Sequence, residues 1–195
     1  MLEDLIISRV RVKILQLFFL APGQIFHVRE IVRRTVEEIN AVRRELAHLE
    51  KAGVMSKEHR ANRLFYSLRK DFPLYCDLLT LVVKTAGMGG DIIKNRVKLG
   101  KIKFAMISGR YARNLVRGAN DVDLLVVGKV VLPELSQIVR AEEVRREREI
   151  NYTVMSEEEF EFRKRRRDPF VLDTLRGSRI MVVGDEEEMV QIAHV

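Results

Sequence analysis

The chain has a single cysteine, Cys76, among its 195 residues. That excludes an intrachain disulfide and a cysteine-built metal site. A lone thiol fits a reducing, cytoplasmic setting, with Cys76 expected in a core. Long apolar runs are also missing: the nearly uncharged apolar stretch Leu78 to Val83 falls far short of the ~20 residues a membrane-spanning helix needs. Met1-Leu2-Glu3-Asp4 lacks the basic start of a signal peptide, so a soluble protein with no membrane partner is expected. With 11 glycines and 4 prolines there is little material for long disordered tails, and no internal repeat is found.

Positive charge, by contrast, is plentiful: 35 Lys plus Arg stand against 28 Asp plus Glu, a net +7, on a chain that is 47% hydrophobic. The length allows one large or two small domains. Residues 1–70 hold 14 basic and 8 acidic side chains, whereas residues 71–195 hold 21 and 20. That asymmetry favours two domains, divided near residues 87 and 88, with a polyanion-attracting field on the first.

In the first part, Val10, Ile14, Leu15, Leu17 and Phe18 recur at helical spacing from Ser8 onward, and Pro22-Gly23 stops the pattern. Ile25 to Val28 reads as a short strand and Val28 to Arg34 as a second helix. Thr35 is expected to cap a third helix from Val36 to Ala52, with Ile39, Val42, Leu46 and Leu49 as its buried stripe and Gly53 as its left-handed stop. Val54 to Arg60 and Arg63 to Leu68 alternate like two strands of a hairpin turning at Ala61-Asn62.

The order helix, strand, helix, helix, hairpin, with Leu46-Ala47-His48-Leu49-Glu50-Lys51-Ala52-Gly53-Val54 and Leu64-Phe65-Tyr66-Ser67-Leu68, resembles winged helix-turn-helix domains of the arsenic-repressor type over about residues 8–85. The resemblance implies double-stranded DNA as partner, with the third helix in the major groove and the wing on backbone. Asn40, Arg43, Arg44 and His48 lie on that helix's outward face, where guanidiniums and an amide can pair with base edges. His59, Arg60, Asn62 and Arg63 fall at the wing tip. The alternatives are a solvated basic face, or a winged helix used for protein contacts. His27 and His48 lack a second ligand at metal spacing. An apolar helix from Leu74 to Thr85, broken by Gly87-Met88-Gly89-Gly90, needs a partner surface, either a homodimer contact, as the resemblance implies, or the second domain.

From Asp91 the pattern alternates strands and helices: a strand Ile102–Ile107, a turn at Ser108-Gly109-Arg110-Tyr111 into a helix or loop ending near Gly118-Ala119-Asn120, and a strand Asp121–Gly128. A helix Leu132–Glu147, a strand Glu149–Met155, a helix capped by Ser156, a helix near Pro169–Leu175 and a strand Arg179–Val183 follow. Asp121-x-Asp123 at the mouth of an apolar strand puts two carboxylates on one face, about 7 Å apart along it, within reach of divalent ions. Gly109 permits close backbone approach by a phosphate. Together with the run Asp168-Pro169-Phe170-Val171-Leu172-Asp173-Thr174-Leu175-Arg176-Gly177, this resembles the minimal nucleotidyltransferase fold of the DNA polymerase β superfamily.

That resemblance implies Mg2+ on Asp121 and Asp123 as catalytic metal ligands, and a nucleoside triphosphate against Ser108, Gly109 and Arg110. Two departures are visible. Arg110 stands where the family has a serine, and Asn151 aligns with the third carboxylate, so the base is missing unless Glu149 replaces it. The basic run Arg163 to Arg167 is either a solvated helix face or a further phosphate contact. The expected fold class is mixed α/β (α+β): an N-terminal winged helix-turn-helix followed by a small nucleotidyltransferase-like domain with a short mixed sheet. Three functions are compatible: a DNA-binding regulator with an inactive second domain, a Mg-dependent nucleotidyltransferase, and a nucleotide-sensing or partner-binding module.

Overall fold

The computed structural model describes residues 2–116, 118 and 121–191. It is a mixed α+β structure, about half helical, with two small sheets. The chain divides into two compact units, Met1–Ala86 and Gly87–Val195. Among the described residues no helix is long and apolar enough to cross a membrane.

The first unit begins with a short helix α1 (Leu2–Leu5) that the sequence pattern does not announce. Helix α2 (Arg9–Phe19) starts where Ser8 accepts the Arg11 N–H, and its three- and four-residue spacing buries Val12, Ile14, Leu15, Phe18 and Phe19. Strand β1 (Phe26–His27) and helix α3 (Val28–Thr35) follow. Helix α4 (Ile39–Lys51) precedes a hairpin of β2 (Met55–Arg60) and β3 (Arg63–Leu68), and helix α5 (Tyr75–Thr85) closes the unit. The antiparallel sheet runs β1-β3-β2, with Arg60 opposite Arg63 at the tip. Phe18 meets Phe26 edge to face at 5.1 Å, and Phe19 meets Tyr75 at 5.4 Å, so α2 is the axis on which β1 and α5 pack.

Two expectations are corrected in this unit. Thr35 does not cap the third helix: it is the last residue of α3, its hydroxyl donates to the Ile31 carbonyl at 2.7 Å, and α4 starts later, capped by the Glu38 carboxylate. A threonine that satisfies the carbonyl four residues back is no longer available as a cap. Cys76 is exposed rather than core, because α5 turns Tyr75, Leu79, Val82 and Val83 inward and Cys76 away from them.

The second unit opens with α6 (Gly87–Lys94), so the glycine-rich stretch is itself helical; the break lies one residue earlier, at extended Ala86. Strand β4 (Gly100–Ser108) leads into the one-turn helix α7 (Gly109–Ala112). Next come β5 (Leu124–Val130), α8 (Leu132–Arg146) and β6 (Tyr152–Met155). Helices α9 (Glu157–Arg165) and α10 (Pro169–Arg176), strand β7 (Arg179–Val183) and a further helix α11 (Glu186–Val190) complete the unit. Ser156 accepts the Glu159 N–H and so caps α9. The sheet order is β6-β5-β4-β7, with β5 and β6 parallel and the remaining pairs antiparallel. The parallel pair is joined through α8, as such a crossover requires. Phe104, Leu125, Val127, Phe160 and Val171 lie in the core between this sheet and helices α9 and α10. Ala119 and Asn120, where the loop after α7 was expected to end, lie outside the described residues.

Candidate functional site

Two sites carry the residues singled out from the sequence, one in each unit.

In the first unit, α4 buries Val42, Glu45, Leu46 and Leu49 and leaves Asn40, Arg43, Arg44, Ala47, His48 and Lys51 exposed. At 3.6 residues per turn the exposed set spans about 140° of arc, one continuous face. Arg43 and Arg44 form no hydrogen bond or ion pair among the described residues. His48 is less open: its Nδ1 lies 3.3 Å from an Arg11 guanidinium nitrogen and 4.0 Å from Glu45. At the N-terminus the Glu38 Oε2 accepts the N–H groups of Asn40 at 2.8 Å and Ala41 at 2.9 Å, and these bonds hold its carboxyl below the usual carboxylate range. The helix therefore already has an anion at its positive end, and its side chains carry whatever it recognises.

Buried Glu45 fixes α4 to α2. It accepts from the Ser8 hydroxyl at 2.7 Å and from the Arg11 Nε at 2.8 Å. Burial pushes the Glu45 carboxyl up, but these donors outweigh it and the net shift is downward. On the hairpin, Lys57 pairs with Glu50 of α4 at 2.8 Å. At the tip His59, Arg60, Asn62 and Arg63 are all exposed. Arg60 bonds Glu58 at 2.9 Å and lies over the Phe65 ring at 5.4 Å, whereas the Arg63 guanidinium forms no hydrogen bond or ion pair among the described residues. Ala61 takes the left-handed conformation that closes the turn, at φ 50°.

In the second unit, Ser108, Gly109, Arg110, Asp121, Asp123 and Asn151 do converge, because Ser108 ends β4 beside β5: its N–H donates to the Asp123 carbonyl at 2.9 Å. The detail differs from expectation. Asp121 and Asp123 both precede β5, which starts at Leu124. The Asp121 Oδ2 accepts from the Gly118 N–H at 2.8 Å and pairs with the Arg110 Nε at 3.0 Å. The Asp123 carboxylate is buried, accepts the Asn151 N–H at 3.0 Å and lies 3.7 Å from the Arg148 guanidinium. With Leu124 paired to Tyr152, the register sets Asn151 beside Asp123, and the Asn151 amide donates to the Asp121 carbonyl at 2.9 Å. Glu149 lies two residues before that position and is exposed.

Gly109 is also used differently. A Cβ there would meet the Ser178 Oγ at 2.3 Å, and the Gly109 N–H donates to the Ser178 carbonyl at 2.7 Å. The chain's own turn before β7 packs directly against the Gly109 backbone and takes up its N–H. Around the site, the Tyr111 ring is buried beneath the guanidiniums of Arg146 at 4.4 Å and Arg148 at 5.6 Å. Burial pushes its hydroxyl far above the ordinary phenol range, with Arg146 opposing. Arg148 and Ser178 were not singled out from the sequence; they lie 25 and 69 residues from Asp123 and Gly109 (148 − 123; 178 − 109), and no local pattern marks them.

These residues do not fit a pair of divalent ions. Two carboxylates and an amide supply one negative charge fewer than three carboxylates, and each carboxylate already has a guanidinium and a backbone N–H on its oxygens. No family model, curated protein or solved structure matches the chain.

Proposed function

We propose that the protein is a DNA-binding transcriptional regulator. In this reading the first unit is a winged helix-turn-helix, with α4 as its reading helix and the β2–β3 hairpin as its wing. The second unit is a nucleotidyltransferase-like scaffold that performs no chemistry. The observation that carries the reading is the exposed face of α4: Asn40, Arg43 and Arg44 share it, and neither guanidinium forms a hydrogen bond or ion pair among the described residues, the Glu38 carboxylate acting on both only at longer range. Exposed guanidiniums beside an amide on a helix flanked by a hairpin suit base edges and phosphates together. A homodimer would repeat that face for a two-fold symmetric site.

Selection of duplexes from a random library by the full chain tests the reading. Enrichment of a common sequence, with affinity falling steeply as salt rises, is the expected result. Recovery of no preferred sequence, with binding no tighter than to bulk duplex, contradicts it. A catalytic reading of the second unit is disfavoured by the Arg110–Asp121 and Arg148–Asp123 pairs, which hold the carboxylates a metal would need.

A further inference from the structure

The turn joining α3 to α4 consists of Val36, Glu37 and Glu38. Two of the three have evident internal tasks. The Glu37 carboxylate accepts from the Lys13 ammonium at 2.5 Å and lies 3.6 Å from Arg9, tying the turn to α2, and Glu38 caps α4. The Val36 backbone closes α3, its N–H donating to the Val32 carbonyl at 2.9 Å, but its side chain has no such task. Its backbone sits at φ 54° and ψ 47°, the left-handed region, and its side chain is 81% exposed. Among the described residues five non-glycine positions have positive φ, and Val36 is the β-branched one.

A β-branched residue in that region is strained, and glycine would adopt the same backbone at no steric cost. The apolar side chain gains nothing internal in return, since it faces solvent at the leading edge of α4. Asn40, four residues on, lies in the first turn of α4. A strained backbone that glycine would relieve, kept beneath an exposed apolar side chain, points to an external contact.

We infer that Val36 is a specificity contact that packs against the C5 methyl group of a thymine in the major groove. This rests on the DNA-reading proposal and adds an apolar contact to the polar set on α4. The leading end of a reading helix and the turn before it approach base edges. The thymine methyl is the apolar feature of the major groove, and a small aliphatic side chain is its natural complement. Glu37 and Glu38, both spoken for internally, leave Val36 as the apolar element of this edge.

The test combines a protein change with a chemical change in DNA. Duplexes selected by the full-length chain are resynthesised with each thymine replaced in turn by deoxyuridine, which removes one methyl group. Affinities are then measured by fluorescence anisotropy for the native chain and for Val36→Gly. The native chain should lose about four-fold at one thymine per half-site, the effect of withdrawing one methyl-sized contact from burial. Val36→Gly should bind the thymine duplex about as weakly and show no further loss with deoxyuridine. It should also unfold at a higher temperature, because the strain is gone, so a loss of binding is not a loss of fold. Indifference of the native chain to every replacement overturns the inference and leaves the DNA-reading proposal standing, as does undiminished sensitivity in Val36→Gly. Failure to enrich any sequence overturns both.

Discussion

Neutralising Asp123 separates a structural carboxylate from a metal-holding one. Carboxylates gathered to bind divalent ions repel each other in the absence of metal, so replacing one with an amide relieves the fold. Asp123 is instead bound from two sides, by the Asn151 N–H at 3.0 Å and the Arg148 guanidinium at 3.7 Å. In Asp123→Asn the amide oxygen keeps the first contact as a neutral hydrogen bond, roughly half the strength of the charged one, a loss of about 1 kcal/mol. The second contact becomes uncharged. Arg148 retains solvent access, so discounting for screening adds at most about 1 kcal/mol. The expected destabilisation is about 1–2 kcal/mol, a fall of roughly 4–8 °C in the midpoint of the second unit. Scanning calorimetry of the full chain without added metal reads it directly. Asp121→Asn should cost less than about 1 kcal/mol, because Asp121 and Arg110 are both open to water. An unchanged or raised midpoint in Asp123→Asn refutes the structural assignment of this carboxylate.

Other outcomes follow from the same geometry. Glu37, Glu38 and Glu45 are all held below their unfolded pKa, so the stability they contribute is fully present above about pH 4.5 and is lost as pH falls through the folded values. Glu45→Gln should therefore flatten the acid limb of the first unit's stability curve below about pH 4.5; an unaltered limb contradicts the role given to this carboxylate. Gly109→Ala should cost about 1–3 kcal/mol, since the new Cβ lies 3.0 Å from both the Ser178 Cβ and its carbonyl oxygen. Ser178→Ala should recover only part of it, and full recovery would mean that the hydroxyl alone makes the clash. Calorimetric titration with Mg2+ and each nucleoside triphosphate should give no heat that disappears in the Asp121→Asn, Asp123→Asn variant; such heat would revive a metal-dependent site.

How much of this was legible in the sequence depends on whether neighbours along the chain or across it decided the outcome. The Gly53 stop at φ 82° and the hairpin are local, and the pattern placed them; of the α2 stripe it placed Ile14, Leu15 and Phe18, whereas Val10 and Leu17 are only partly buried and Val12 and Phe19 take the inward positions. The start of α4 was misread because Thr35 is a favoured cap by type and Glu38 is not; the competition for the Thr35 hydroxyl by the Ile31 carbonyl has no sequence signature. Glycines 87, 89 and 90 read as a break, yet tertiary packing draws them into α6 with Met88 and Ile92 buried. Alternation suggested that Asp121 and Asp123 share a strand face, but loop hydrogen bonds from Gly118 and Asn151 claim them before the ladder begins. The partners that define the second site, Arg148 and Ser178, arrive from distant segments, where periodicity carries no information.

The central claim is that α4 reads bases while the hairpin tip holds backbone. Its most direct measurement is the affinity of the full chain, Arg43→Ala and Arg63→Ala for a selected duplex and for a scrambled one across a range of salt. Arg43→Ala should lose about 1–3 kcal/mol on the selected duplex and little on the scrambled one, whereas Arg63→Ala should weaken both alike and reduce the salt slope by about one unit. Equal losses on both duplexes for both substitutions would contradict the account.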